Sequence, residues 1–205
     1  MNNPTSNSSS SKLNDPNSLE SDLLEVNLLE VNLLGRKGRV LILHDWLTGM
    51  RGGERVLEII VSMFPDSCIY TLVHEPGRVV ASIEERLGGT SFISKSKFLR
   101  KNYRALLPIY PLATWDLSQK IASAHQAEGF DLVISISHCG AKNIKLPKGI
   151  PHICLCLTPA RYLWDKFDDY FPSGVRRLLM KLCKGYLQAW DKFNLGAVSK
   201  FLVIS

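Results

Sequence analysis

Short, almost uncharged aliphatic runs separated by amphipathic stretches are the feature that most limits how this chain can fold. The runs are RVLILH at 39–44, FDLVISIS at 130–137, HICLCL at 152–157 and FLVIS at 201–205, with a further strand predicted at 67–73 and a short third strand at 90–93. Helical patterns lie between them at 53–64, 79–87, 112–126 and 174–193. Strands that are apolar along their whole length are typical of parallel sheets buried on both faces. We therefore predict an α/β fold, a Rossmann-like parallel sheet with helices on both faces.

The first 36 residues differ from the rest of the chain. They begin with an Asn/Ser-rich segment and continue with LLEVN written twice, at 23–27 and 28–32. A five-residue period fits neither a helix nor a strand, so we predict a disordered leader that contains a small duplication. Residues 37–205 are predicted to form one domain.

Charge is distributed unevenly along the 205 residues. The formal net charge is +6, but the first 35 residues carry five carboxylates and one lysine, a net charge of −4, so the remainder carries +10. A basic domain favours anionic partners such as phosphorylated small molecules, acidic lipid headgroups or nucleic acid. Nucleic acid is disfavoured among these because charge alone supports it and no known reader motif is present.

Cysteine usage and the absence of export signals predict a cytoplasmic protein. The five cysteines form no CxxC pair, and neither a signal peptide nor a membrane-spanning stretch is evident in the sequence. Reduced, buried thiols are the expected state. No spacing of cysteine and histidine matches a zinc pattern, so we predict no metal site.

Three polar clusters follow predicted strands, at 44–53, 138–141 and 158–165. Because ligands of parallel sheets bind beyond the carboxyl ends of the strands, we expect these clusters to share one rim. In the first cluster, Gly52 and Gly53 open a helix whose N–H groups suit an anion such as a phosphate. Alternatively, the two glycines only let the helix begin close to the strand. Neither GxGxxG nor GK[ST] is present, which excludes the dinucleotide and P-loop fingerprints.

The rim carries candidate cleft residues, several of which have a purely structural alternative. A carboxylate at a strand end is a candidate general base or an acceptor for neighbouring N–H groups, and a histidine there contacts a ligand or caps the strand. Arginine and aromatic rings suit phosphates and sugar faces, although Trp164 could equally pack on the next helix. The candidates are Asp45, His138, Lys142, Arg161, Tyr162, Trp164 and Asp165.

The segment KSKFLRKNYR, at 95–104, interleaves cations with aromatic rings. A charge run is usually a solvated face, but this combination also suits an acidic membrane surface. Cations in 174–193 repeat the pattern, so we expect peripheral contact with the inner face of the plasma membrane. The predicted membrane-surface patch consists of Lys95, Lys97, Arg100, Lys101 and Arg104.

Three stretches, taken in order, resemble one enzyme family. HDWLTGMRGGERVLE, DLVISISHCGAKNIK and CLTPARYLWDKFDDY are similar to segments of the amino-terminal domain of family 4 retaining glycosyltransferases, over about residues 39–205. The resemblance implies one lobe of a GT-B fold that holds the acceptor, with a second lobe that holds a nucleotide sugar. Gly52 and Gly53 would then approach the donor diphosphate. Such enzymes generally use no metal or other cofactor, the nucleotide sugar being a substrate.

Two departures from the family pattern affect the expected activity. Members with this pattern commonly carry histidine before Thr-Pro, whereas this chain has Leu157, so no catalytic residue is assigned. Family chains also continue beyond a strand such as FLVIS into the donor lobe. We therefore expect a fragment, inactive alone, that transfers sugar in polysaccharide or glycolipid biosynthesis when a donor lobe completes it. The alternative is a non-catalytic remnant that binds a glycan, a lipid-linked acceptor or a partner protein.

Overall fold

The computed structural model describes residues 38–158 and 160–203, so the predicted leader and its LLEVN duplication lie outside the described residues. Six parallel strands form one sheet in the order β3-β2-β1-β4-β5-β6. The strands are β1 Val40–Leu47, β2 Cys68–His74, β3 Leu87–Thr90, β4 Leu132–Ser137, β5 His152–Cys156 and β6 Lys200–Val203. This all-parallel order confirms the predicted Rossmann-like sheet.

Helices cover both faces of the sheet, as predicted. They are α1 Gly52–Met63, α2 Ala81–Glu84, α3 Lys97–Lys101, α4 Tyr110–Glu128, α5 Phe167–Tyr170 and α6 Gly174–Phe193, with 3-10 turns at Phe92–Lys95, Tyr103–Ile109, Ala141–Asn143 and Leu195–Ala197. Neighbouring strand residues point to opposite faces. Leu41 and Leu43 share a buried cluster with Leu117 of α4, whereas Ile42 shares the other cluster with Leu57 of α1. Each such side chain contributes about 1.5–3 kcal/mol through burial.

The first strand is longer than the sequence predicts. Instead of ending at His44, β1 continues to Leu47 because β2 extends beside it and pairs Trp46 with Val73. The His-Asp pair therefore lies within a strand and is buried, with His44 2% and Asp45 0% exposed. The predicted turn starts only after this strand.

The edge of the sheet at β3 corrects the predicted helix at 79–87 and strand at 90–93. The helix is a single turn, Ala81–Glu84, and the strand comes earlier, at Leu87–Thr90. The close approach of β3 to β2 explains why glycine is needed here: a Cβ at Gly89 would lie 2.6 Å from Cε1 of Tyr70. Ser91 then turns the chain away, since its Oγ accepts the N–H of Ile93 at 3.2 Å.

The long helix α6 has the predicted bounds and is apolar on its outward face. Val175, Leu182 and Phe193 are 75%, 74% and 76% exposed. The one acidic residue of this helix, Asp191, is buried. Within the described residues, no helix is both long enough and apolar enough to cross a membrane.

Chain connectivity fixes where a ligand can enter. The sheet grows outward from β1 through β2 and β3 in one direction, and through β4, β5 and β6 in the other. The connections after β1 and β4 therefore diverge, which opens a crevice at the carboxyl ends of these two adjacent strands.

Candidate functional site

A cleft of about 590 Å³ lies at the carboxyl ends of β1, β4 and β5. Its walls come from β1, the start of α1, the 3-10 turn Tyr103–Ile109, the loop after β4, the segment after β5, α5 and the start of α6. Gly53, His138 and Tyr162 all line it, one from each predicted polar cluster. The structure thus brings the three clusters together at one rim.

Asp45 organises the loop that forms one wall of this cleft. Its buried carboxylate accepts four consecutive backbone N–H groups, from His138 at 2.6 Å, Cys139 at 2.9 Å, Gly140 at 2.7 Å and Ala141 at 2.6 Å. From the sequence, Asp45 was a candidate either for a general base or for an acceptor of neighbouring N–H groups. Its hydrogen bonds are those of the acceptor. Asp45 is not among the residues that line the cleft.

The ionisation of Asp45 follows from these contacts. Burial acts to raise its pKa, but the His138 ring and the backbone N–H groups outweigh burial and the pKa is lowered. Nδ1 of His138 lies 3.1 Å from the carboxylate, and the ring meets Trp46 edge-on with centroids 4.6 Å apart. A proton on Nδ1 that faces Asp45 leaves Nε2 as the nitrogen able to contact a ligand.

His44 brings a second imidazole to the cleft. Neither of its buried ring nitrogens has a hydrogen-bond partner within the described residues. Burial and the nearby His138 lower its pKa, against the opposing effect of the Asp45 and Glu54 carboxylates and of a contact with the Gly53 backbone that does not reach hydrogen-bond geometry, so the ring is neutral near pH 7. A buried polar group without a partner is costly, which makes this ring a candidate to bond a ligand hydroxyl.

Leu157, at the position where the family resemblance expects histidine, lies beside His44. A Cβ built at Gly53 would be 3.0 Å from Cδ1 of Leu157 and 3.4 Å from Nε2 of His44. The three residues therefore meet at the start of α1. A side chain at Gly53 fits only if the end of Leu157 shifts by a few tenths of an ångström, whereas a Cβ at Gly52 would meet nothing within 4 Å.

Several cleft residues were not among the predicted candidates, although His44, Trp46, Arg51 and Thr158 fall within the predicted polar clusters. They are His44, Trp46, Arg51, Glu54, Leu107, Thr158, Tyr170, Phe171 and Arg176. Residue type gives some indication for the aromatic and cationic residues among them, since such side chains near the rim of a sheet often contact ligands. Their orientation depends on the longer β1 and on the packing of α6, neither of which the local pattern determines.

Two predicted cleft residues have structural partners instead. The buried ammonium of Lys142 contacts the Asp191 carboxylate of α6, and Nε1 of Trp164 donates to the same carboxylate at 2.9 Å. Neither residue lines the cleft. These buried contacts join α6 to the loop after β4. Trp164 packs on α6, in agreement with the purely structural role considered for it in the sequence.

The remaining predicted rim residues lie partly outside the cleft. Arg161 and Asp165 form a 3.5 Å ion pair with half-exposed side chains and do not line it. The Tyr162 hydroxyl lies 2.7 Å from Sγ of buried Cys139. The described residues contain no group of three or more His, Cys, Asp or Glu side chains that could hold a metal ion.

The predicted membrane-surface patch surrounds a second cavity of about 360 Å³, which we call the basic cavity. Four of the five patch residues line it, and Lys95 does not. Arg51 and Arg104 line both the cleft and this cavity, so the two are adjacent. The full lining consists of Thr48, Arg51, Glu75, Arg78, Lys97, Arg100, Lys101, Tyr103 and Arg104.

Comparison with known proteins gives one distant likeness. No family model and no curated protein matches this chain. A solved structure described as "Crystal Structure Analysis of the Glycotransferase of kitacinnamycin" is similar at 12% identity and a TM-score of 0.42, over 82% of this chain and 46% of that chain. The matched region therefore spans about half the length of that structure. The Rossmann-like assignment depends on the strand order seen in this chain itself.

Proposed function

We propose that this chain is the acceptor-side domain of a GT-B glycosyltransferase of family 4. With a donor-binding lobe, it transfers a sugar from a nucleotide sugar to a glycan or lipid-linked acceptor. The observation that carries the proposal is the cleft at the carboxyl edge of the sheet, where the start of α1 and two imidazoles converge. The three motifs that resemble the family supply residues to this cleft.

The start of α1 supplies the donor side of the proposed reaction. The first N–H groups of a helix have no partner within the helix, and its dipole is positive at this end. Gly53 keeps the backbone bare where it meets the cleft, with Arg51 beside it. A leaving diphosphate would be stabilised here by N–H dipoles and charge without a metal ion or other cofactor.

The two imidazoles supply the acceptor side. His44 has unpartnered ring nitrogens, and His138 is oriented by Asp45, so each can bond an acceptor hydroxyl. Holding that hydroxyl against the donor is the main contribution a lobe of this kind can make to rate. Trp46 and Tyr162, which also line the cleft, offer rings for the apolar face of a sugar.

The proposal includes a cytoplasmic location with contact to the inner face of the plasma membrane. The exposed stripe Val175, Leu182 and Phe193 on α6 is accompanied by exposed Arg176 and Lys181. An apolar stripe beside cations suits an anionic lipid surface. Sedimentation with vesicles that contain phosphatidylglycerol should be lost in Leu182→Asp, and unchanged sedimentation would remove the membrane contact from the proposal.

The test uses Trp46, which reports on the cleft by its fluorescence. We expect saturable quenching by a glycan or a polyprenyl-linked saccharide, roughly tenfold weaker binding in His44→Ala, and no change in exposed Lys181→Ala. Trp46→Phe should abolish the signal. Gly53→Val should block sugar transfer when a donor lobe is added as a second chain. Absence of binding across saccharide classes, or unchanged transfer by Gly53→Val, would overturn the proposal.

A second candidate function is non-catalytic binding of a glycan or lipid-linked acceptor. The observation that favours it is Leu157, an apolar side chain next to Gly53 where the resemblance expects histidine. Leu157→His separates the two candidates in the presence of a donor lobe. Transfer that appears only in this variant would support the binding role for the natural chain, whereas transfer by the natural chain would exclude it.

A further inference from the structure

We propose that the basic cavity binds a phosphate or diphosphate group that the acceptor carries. The identity of the ligand as an acceptor rests on the proposed function, whereas the anion site rests on the cavity alone. Two independent features of the cavity support the site, its charge and its unpartnered hydroxyl groups.

Charge in the basic cavity is unbalanced. Its cationic side chains are Arg51, Arg78, Lys97, Arg100, Lys101 and Arg104, and its one carboxylate is Glu75. Only Arg100 has an ion-pair partner within the described residues, Glu75 at 2.9 Å. Like charges held around one concave surface repel each other and focus a positive potential that attracts an anion.

Two hydroxyl groups in the cavity wall also lack partners. The Thr48 Oγ1 and the Tyr103 OH are buried and make no hydrogen bond within the described residues. Tyr103 is only 8% exposed, and Arg104 lies over its ring at 5.2 Å from the centroid. Hydroxyl donors beside arginine are the groups that phosphate oxygens accept from.

The position of the cavity indicates which part of the reaction it serves. Because Arg51 and Arg104 line both spaces, one ligand can place an anionic group in the cavity and a sugar in the cleft. A saccharide joined to its carrier through phosphate has this arrangement. The anion here is separate from the donor diphosphate assigned to the start of α1, and Gly53 does not line the basic cavity.

Lys95 and Lys97 form a matched pair for the test. They lie two residues apart, both are exposed, and only Lys97 lines the cavity. An anion site in the cavity requires Lys97 and not Lys95. A general membrane-surface patch requires the two equally, because each carries the same charge on the same segment.

The probe is inorganic pyrophosphate, measured by calorimetry with the full chain at constant ionic strength. We expect saturable binding that weakens roughly tenfold in Lys97→Ala and in Tyr103→Phe, and less than about twofold in Lys95→Ala. No saturable binding, or equal weakening by Lys95→Ala and Lys97→Ala, would overturn the anion site.

Vesicles distinguish a lipid headgroup from a soluble or carrier-linked phosphate. Phosphatidylcholine vesicles with and without phosphatidylglycerol are titrated with the same variants. We expect pyrophosphate to compete with a polyprenyl-diphosphate saccharide, but not with phosphatidylglycerol vesicles. Competition with the vesicles would assign the cations to bilayer headgroups and overturn the acceptor phosphate. Pyrophosphate binding without any sugar transfer would leave the anion site intact and refute only the glycosyltransferase function.

Discussion

Adjacent glycines at the start of α1 offer a sharp test of the cleft geometry. A Cβ at Gly52 would meet nothing within 4 Å, whereas a Cβ at Gly53 would lie 3.0 Å from Cδ1 of Leu157 and 3.4 Å from Nε2 of His44. The test replaces each glycine by alanine, one at a time. The two variants share the chemistry and the helix, and they differ only in what the new methyl group meets.

Comparing the variants isolates the packing cost. Replacing glycine by alanine in a compatible conformation stabilises by about 0.4–1 kcal/mol, mainly by restricting the unfolded chain, and this contribution is similar at both positions. Overpacking a tight site costs about 1–3 kcal/mol. We therefore expect Gly52→Ala to raise the free energy of unfolding, and Gly53→Ala to fall about 1 kcal/mol below it, at the low end of that range, because the partly exposed end of Leu157 can shift.

Urea unfolding at neutral pH measures these differences, with Leu157→Ala added to form a double-mutant cycle. Removing the leucine methyl groups relieves the contact, so the cycle should show a coupling of at least about 0.5 kcal/mol. Equal stability of the two alanine variants, or a coupling near zero, would refute the placement of Leu157 against Gly53 and with it the shape of the cleft.

Three further predictions concern buried polar groups. Asp45→Ala should lower the free energy of unfolding, measured in urea, by about 3–5 kcal/mol, since four N–H groups lose their acceptor. Because the pKa of Asp45 is lowered in the fold, its stabilising contribution is present above the ordinary pKa of 3.8 and is lost as the pH falls below that value. Burial lowers the pKa of His152 from 6.5 to about 4, so the unfolded chain binds this proton more readily than the folded chain. The free energy of unfolding should therefore fall by about 3 kcal/mol as the pH drops from 6.5 to about 4. An equally steep dependence of the free energy of unfolding on pH in His152→Gln would contradict this. Lys142→Met should cost about 3–5 kcal/mol by leaving the buried Asp191 carboxylate with only the Trp164 N–H as a partner. Lys142→Met with Asp191→Leu should recover part of the loss, because Nε1 of Trp164 then loses its acceptor; no recovery in urea would show that the pair is not the cause.

The sheet could be predicted from the sequence because its signal is local. The run LVISIS of β4 is buried at every residue, and a short uncharged run of this kind, rich in β-branched residues, is typical of a strand covered on both faces. The helix α6 could be predicted with the same bounds because its amphipathic period continues to Phe193, and Pro172 and Ser173 just before it are residues common at a helix start.

The site could be predicted only in part because its contacts join distant residues. The partner of Lys142 is Asp191, 49 residues away, and no local pattern reveals that pairing. The extension of β1 depends on the pairing of Trp46 with Val73, which turns His44 from the last residue of the predicted strand into a buried ring within it. The basic cavity likewise joins Arg51 and Arg78 to the later segment at 97–104.

The four N–H groups held by Asp45 set the flexibility of the cleft wall. Because this carboxylate anchors the loop after β4 through hydrogen bonds within the fold, an incoming molecule meets a firmly held surface there. Little conformational entropy is lost there on association, so encounter should approach the rate of ordinary docking between rigid partners. Discrimination between rival molecules then depends on the rest of the cleft lining, which includes Tyr170 and Phe171.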